Sequence, residues 1–190
     1  MEALFVPLWT VAVAEMGDRT QLLALLLAAR YRKPWPILAG ILCATLANHA
    51  LAAWIGVHLG RFLSAARLDA LVGGSMIVMA LWALKQDVIE EAAPTPAGAT
   101  PFVATLVAFF LAEIGDKTQI ATLALAAAYA NLALVVAGTT AGMLLANTPV
   151  VFLGKAFATR LPLRALHYVA SAAFLGLGVL FLLRAFGRAP

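Results

Sequence analysis

Residues 14–22 read AEMGDRTQL, and residues 112–120 read AEIGDKTQI. Each stretch places a glutamate, an aspartate and a basic residue inside a long apolar run. Six of the nine positions are identical, and the other three exchange Met for Ile, Arg for Lys and Leu for Ile. A motif that recurs after 98 residues predicts a fold built from two copies of one unit.

Other landmarks recur at nearly the same spacing. Gly40 corresponds to Gly138 at 98 residues, and the triplet LAN occurs at 46–48 and, 99 residues later, at 145–147. Each half holds three apolar runs, and a polar stretch with prolines and acids joins the halves. We therefore expect one membrane domain made of a first repeat at 1–86, a linker at 87–101 and a second repeat at 102–190.

The composition is that of a membrane protein. Of the 190 residues, 64% are hydrophobic and 12% are charged, and the mean hydropathy is +0.96. Soluble domains are about 45–50% apolar and about 25% charged. A bilayer is crossed by about 20 mostly apolar residues. We predict an all-α membrane protein with six transmembrane helices, at 4–28, 36–58, 69–86, 102–127, 132–154 and 166–186.

Three spans per repeat is an odd number, so the second repeat must enter the membrane from the opposite side. Such inverted repeats are typical of secondary transporters, whose substrate sites lie near the midplane. The basic residues favour both termini outside and the linker in the cytoplasm. Seven are expected on the cytoplasmic face: Arg30, Arg32, Lys33, Lys85, Lys155, Arg160 and Arg164. Four are expected outside: Arg61, Arg67, Arg184 and Arg188.

Charge and cysteine content exclude other classes. The net charge is +4, but the basic residues flank apolar runs, so we expect no nucleic-acid partner. The single cysteine, Cys43, excludes an internal disulfide and a metal cage built from cysteines. The N-terminal stretch MEALFVPLWT lacks the basic region of a signal peptide, so we expect the first run to be a retained span.

Both motifs fall near the centre of a predicted span, where a lone charge costs about 2.5–3.5 kcal/mol. The charged motif residues must therefore face one another, water or an ion. On a continuous helix, positions i, i+3 and i+4 share one face, and the glycine between the acids permits close helix approach or a break. We expect the two faces to meet and to collect four carboxylates around one point: Glu15, Asp18, Glu113 and Asp116.

Four acids and two bases, Arg19 and Lys117, leave a formal charge of −2 when all are ionised. Oxygen ligands suit Mg²⁺, Ca²⁺ or Mn²⁺. Ion pairs that only join helices are the alternative, although they would not need a threonine and a glutamine beside the acids. The residues expected to support the cation or proton pathway are Thr20, Gln21, Thr118, Gln119, Asn48 and Asn147.

Two further assignments stay open at this point. The asparagines could equally hold helices together. His49 is expected to form a hydrogen bond between helices, with proton transfer or metal ligation as the alternatives. Protons and a metal ion compete for the same carboxylates, because a metal ion needs them deprotonated. A site that opens alternately to either side of the membrane would then exchange cations for protons.

The stretches EMGDRT at 15–20 and EIGDKT at 113–118 fit the pattern E-x-G-D-[KR]-[TS]. This doubled pattern resembles a family of small membrane proteins in the lysine-exporter superfamily, which comprises Golgi manganese/calcium transporters, a chloroplast branch and bacterial manganese exporters. The resemblance covers almost the whole chain. It implies cation/proton antiport with Mn²⁺ and Ca²⁺ as substrates, no bound cofactor, and a site formed by the motif acids with Thr20 and Thr118 in support.

We therefore predict a secondary transporter of the bacterial inner membrane, and no enzyme, that exports a divalent cation in exchange for protons. Mn²⁺ is the favoured substrate and Ca²⁺ the second, and the partners are these ions, protons and the lipid bilayer, with a homo-oligomer left open. A passive cation channel is the main alternative. An intramembrane aspartyl protease is a remote one, since the chain lacks the Y-D partner motif and its halves are symmetric.

Overall fold

The computed structural model describes residues 1–85, 98–153 and 163–188. Over these ranges the chain is all-helical, as predicted, with eight α-helices and no strand. The helices are α1 (Glu2–Glu15), α2 (Arg19–Tyr31), α3 (Pro34–Gly60), α4 (Ala65–Ala83), α5 (Pro101–Glu113), α6 (Lys117–Tyr129), α7 (Leu132–Leu153) and α8 (Leu163–Gly187). The predicted linker up to residue 97, the loop residues Lys155 and Arg160 and the Arg164 side chain lie outside the described part.

Four of these helices are long and apolar enough to cross a membrane. They are α3, α4, α7 and the Ala165–Gly187 part of α8, with 19 to 27 residues each. At a rise of 1.5 Å per residue, these lengths match a hydrocarbon core of about 30 Å. Their positions agree with the runs predicted at 36–58, 69–86, 132–154 and 166–186 to within a few residues.

The two runs that carry the motifs were each predicted as one span, with close helix approach or a break at the glycine, and each is divided into two helices. The first half-helix ends at the motif glutamate, and the next begins at the basic residue. Between them, Gly17 and Gly115 have φ of 83° and 74°, in the left-handed region that favours glycine. The expected sharing of one helical face at i, i+3 and i+4 therefore does not apply, because the helix stops inside the motif.

The backbone repeats at the spacing seen in the sequence. The helices α1 and α5 end 98 residues apart, and α2, α3 and α4 begin 98 residues before α6, α7 and α8. The residues that directly follow α2 and α6, Arg32 and Ala130, are both left-handed, with φ of 51° and 50°. Both halves therefore follow the same order of half-helix, break, half-helix and two long helices.

Each half packs its first long helix against the first half-helix of the other half. A Cβ at Gly40 in α3 would lie 2.9 Å from the carbonyl oxygen of Phe102 in α5. A Cβ at Gly138 in α7 would likewise meet the carbonyl oxygen of Leu4 in α1. Phe102 follows Leu4 by 98 residues, so the two contacts are equivalent. These glycines bring the two halves into close backbone contact.

The surface and the interior have the polarity of a protein in lipid. Large apolar side chains lie more than half exposed, among them Leu71, Leu81 and Leu183. The motif glutamates Glu15 and Glu113 are fully buried. Soluble proteins rarely bury carboxylates and rarely expose contiguous apolar surface. The arrangement places the motif glutamates inside the helix bundle and the leucines on its outer face.

Candidate cation site

The site forms where the two broken elements meet. Each break frees the backbone groups of two helix ends, which would be costly in an apolar interior. The Gln21 side-chain oxygen accepts a hydrogen bond from the Gly17 amide at 2.9 Å, and the Gln119 oxygen accepts one from Gly115 at 2.8 Å. The Gln21 nitrogen also donates to the Ala146 carbonyl of α7 at 2.9 Å. Both glutamines thus hold the breaks, a role that their position beside the acids did not indicate.

Three acids from the two motifs converge at the breaks. Glu15, Asp18 and Asp116 each offer a carboxylate oxygen, and these oxygens all lie within 4.8 Å of one another. All three residues are buried. Glu15 ends α1, whereas Asp18 and Asp116 are the N-caps of α2 and α6, where the helix dipole favours a negative charge. We call these residues the carboxylate triad.

Glu113, the fourth acid of the sequence prediction, lies outside this triad. Its Oε1 accepts a hydrogen bond from Thr45 at 2.7 Å, and its Oε2 accepts one from Asn48 at 3.4 Å. The Asn48 amide also donates to the Phe110 carbonyl at 3.0 Å. The side chains of α3 therefore hold Glu113, and the structure brings three of the four predicted carboxylates into one group.

The basic residues pair across the two halves in a reciprocal way. Arg19 Nη2 lies 3.2 Å from Asp116 Oδ1 and donates to the Ala112 carbonyl at 2.8 Å. Lys117 pairs through its Nζ with Asp18. The two pairs differ in exposure, since the Arg19 side chain is 41% exposed and the Lys117 side chain 4%. Ion pairing between helices and a convergent acidic site are thus both present in one arrangement.

The motif threonines donate hydrogen bonds to acids of the carboxylate triad. Thr20 donates its hydroxyl to Glu15 Oε2. The hydroxyl and the backbone amide of Thr118 donate to Asp116 Oδ2, at 3.1 and 3.3 Å. The second oxygen of Glu15, Oε1, is buried without a hydrogen-bond partner among the described residues. A buried carboxylate oxygen left without a donor is a group that a cation would satisfy.

The polar residues of the long helices differ more between the halves. At the constant spacing of 98, Asn147 corresponds to His49, whereas the repeated LAN triplet had paired it with Asn48. Asn147 donates to the Met143 carbonyl of its own helix at 3.0 Å, and its Oδ1 has no partner in the described part. The hydrogen bond expected of His49 is absent, since neither ring nitrogen has a partner there.

Sequence reasoning missed Thr45, which donates to Glu113. It precedes Asn48 and His49 by three and four residues, so the three side chains lie on one face of α3. A threonine inside a long apolar run is unremarkable by itself, because its hydroxyl usually bonds the preceding turn of its own helix. The i, i+3, i+4 spacing to two other polar residues was the available signal.

The fold and the site together define a class of protein: a helical membrane protein with a buried acidic cluster between two related halves. Consistent with this, the model of the divalent cation/proton antiporter family GDT1 matches the chain twice, over residues 3–91 and 101–189. The chain belongs to the GDT1 family. Its function is the transport of divalent cations across a membrane, and the resemblance noted from the doubled motif is confirmed.

Several curated proteins are similar over most of their length. A protein of Vibrio cholerae serotype O1 named "Putative manganese exporter" is 53% identical over 178 residues, which cover 92% of this chain and 88% of that protein. GDT1-like protein 3 of Arabidopsis thaliana is 28% identical, over 94% of this chain and 69% of the plant protein. GDT1-like protein 4 of Oryza sativa subsp. indica is 29% identical. No solved structure matches the chain.

Proposed function

We propose that the protein exports Mn²⁺ from the bacterial cytoplasm in exchange for protons, and that Ca²⁺ is a second, weaker substrate. The observation that carries the proposal is the convergence of three buried carboxylates, drawn from both motifs, within 4.8 Å. Carboxylate, hydroxyl and amide oxygens are the ligands of hard divalent cations. The family and the manganese exporter named above favour a divalent cation and, within that class, manganese.

In this proposal the carboxylate triad provides the first ligands, and Glu113 completes the set when the cation binds. Glu15 Oε1 supports a ligand role, because it is buried without a partner among the described residues. Glu113 and Asp116 flank the same short break, so a small change at Gly115 would move one toward the other. Thr20, Thr118, Asn48 and Asn147 support the pathway, and Gln21 and Gln119 keep the breaks in shape.

Transport would proceed by alternating access between two inverted three-helix repeats, at 1–86 and 102–190, joined by a cytoplasmic linker at 87–101. Each pair of half-helices counts as one interrupted span, which gives six spans with both termini outside. The equivalent helix bounds of the two halves support this plan. The pairs Arg19–Asp116 and Lys117–Asp18 connect the two halves. They would therefore break and form again as one half rocks against the other.

Proton coupling follows from charge. The four acids and two bases carry a formal −2 when all are ionised. One divalent cation neutralises this charge, and so do two protons. Because a bare −2 charge is costly in the centre of a membrane, the site would cross it only when loaded with one or the other. This condition couples outward cation movement to inward proton movement.

The test is a manganese challenge of bacterial cells that lack their own exporter. Wild-type protein is expected to restore growth and to lower cell manganese, whereas Glu15→Gln and Glu113→Gln are not. Glu2→Gln, on the exposed first turn of α1, is the matched control and should behave as wild type. Equal membrane levels of all variants are checked by immunoblot. Rescue by both site variants would overturn the site, and no effect of wild type on manganese would redirect the proposal to calcium.

A further inference from the structure

His49 has an unusual position next to the acidic site. It is fully buried on α3, and neither ring nitrogen has a hydrogen-bond partner among the described residues. Its Nε2 faces Glu113 Oε2 at 3.9 Å, too far for a hydrogen bond. A buried polar group without a partner destabilises the fold, so an imidazole placed this way calls for a ligand.

The surrounding groups can share a metal ion with this nitrogen. Two ligand atoms that each lie about 2.0–2.6 Å from one ion are at most about 5 Å apart, and 3.9 Å falls inside that limit. Thr45 and Asn48 hold the two Glu113 oxygens from the same face of α3, which fixes the carboxylate opposite the imidazole. The carboxylate and the ring are therefore already in place for a common ligand.

At this position of the repeat, only the first half has an imidazole. At the constant spacing of 98, the position of His49 is taken in the second half by Asn147, which offers an oxygen, Oδ1. The two halves therefore present different chemistry at equivalent places. Ca²⁺ and Mg²⁺ take oxygen ligands, whereas first-row transition metals also accept imidazole nitrogen. A single nitrogen in an otherwise oxygen-rich site discriminates between these two groups of ions.

We propose that His49 Nε2 is a metal ligand that acts together with Glu113, and that it selects transition-metal cations such as Mn²⁺ over Ca²⁺ and Mg²⁺. This inference rests on the proposed transport function and deepens it, because it names the residue that sets ion preference. It also assigns a role to Glu113, which lies outside the carboxylate triad. The cation contacts a nitrogen at the Glu113 end of the site and only oxygens at the triad.

The experiment uses purified full-length protein with Mn²⁺ bound. Pulsed electron paramagnetic resonance detects a ¹⁴N nucleus coordinated to Mn²⁺ through its modulation of the electron spin echo. The wild type is expected to show this modulation. The variant His49→Asn, which copies the asparagine that the second half has at the equivalent position, is expected to lose it. His58→Asn is the matched control, because it makes the same change on the same helix, at a ring that bonds the Trp54 carbonyl at 2.8 Å.

Transport of radioactive Mn²⁺ and Ca²⁺ into liposomes provides the second readout. His49→Asn is expected to lower the preference for Mn²⁺ over Ca²⁺ about tenfold while Ca²⁺ transport continues, and His58→Asn to leave it unchanged. Protein-bound Mn²⁺ without nitrogen modulation in the wild type, or an unchanged preference in His49→Asn, would overturn the inference but not the transporter. Failure of the wild type to bind or move Mn²⁺ would overturn the proposed function itself.

Discussion

Arg19 of the first motif lies 3.2 Å from Asp116 of the second motif, although the two residues are 97 positions apart in the chain. The equivalent residues exchanged between the halves, Lys117 and Asp18, form the other pair. Each motif therefore supplies the base that pairs with the aspartate of the other motif, so each aspartate depends on the other half for its base. This reciprocity explains how the two buried aspartates are tolerated inside an apolar bundle, and the different exposure of the two bases makes the pairs unequal in a testable way.

The first prediction concerns stability. The Lys117–Asp18 pair is buried, so Lys117→Met leaves a buried carboxylate without its main base and is expected to cost about 3–5 kcal/mol of unfolding free energy. Arg19→Met removes a side chain that is 41% exposed, and we expect it to cost about 1 kcal/mol or less. Thermal unfolding of both variants in detergent measures the difference. Equal losses would contradict the assignment of one pair as buried and the other as partly solvated.

The second prediction concerns the break in α5–α6. A Cβ at Gly115 would meet no atom within 4 Å, but its φ of 74° is unfavourable for alanine. Gly115→Ala is therefore expected to cost about 1–2 kcal/mol through the backbone alone and to reduce transport. Gly176→Ala in α8 has equal space and helical backbone, so it should be neutral or slightly stabilising. Thermal unfolding and transport assays would contradict the argument if the two variants behaved alike.

The fold could be predicted from the sequence only in part. Composition and apolar run length predicted an all-α chain, and the doubled motif predicted two equivalent halves with the same spacing as the helix bounds. The break at Gly17 and Gly115 was only one of two options, because glycine in an apolar run serves close packing as well as a left-handed turn. The apolar run continues on both sides of the break, so its length alone cannot choose between them.

The sequence predicts which residue types form the candidate site, but not which of the acids lie together. All four motif acids are buried, yet Glu113 is separated from the triad by hydrogen bonds from Thr45 and Asn48. These donors come from a helix about 65 residues away in the chain, so no local pattern contains the contact. The position of His49 opposite Glu113 is likewise set by how α3 packs on α5, so it cannot be inferred before the fold is known.

The third prediction concerns charge movement. If one divalent cation exchanges for two protons at a site of formal charge −2, transport is electrically neutral. In liposomes with an internal pH dye, an imposed Mn²⁺ gradient is expected to drive opposite proton movement, and a membrane potential set with potassium and valinomycin should not change the rate. Mn²⁺ movement without proton movement would indicate a passive pathway, and a strong effect of the potential would contradict the stoichiometry.

The fourth prediction concerns orientation. If both termini lie outside, the segment before α5 is cytoplasmic and the turn between α3 and α4 is external. In a Cys43→Ser background, Phe62→Cys, at a side chain that is 85% exposed, should react with a membrane-impermeant maleimide added to intact cells. Ala99→Cys should react only after the membrane is permeabilised. The reverse pattern would mean that the whole protein has the opposite orientation, with both termini in the cytoplasm. Labelling of both sites from outside would contradict three spans per half, because α4 would then not cross the membrane between them.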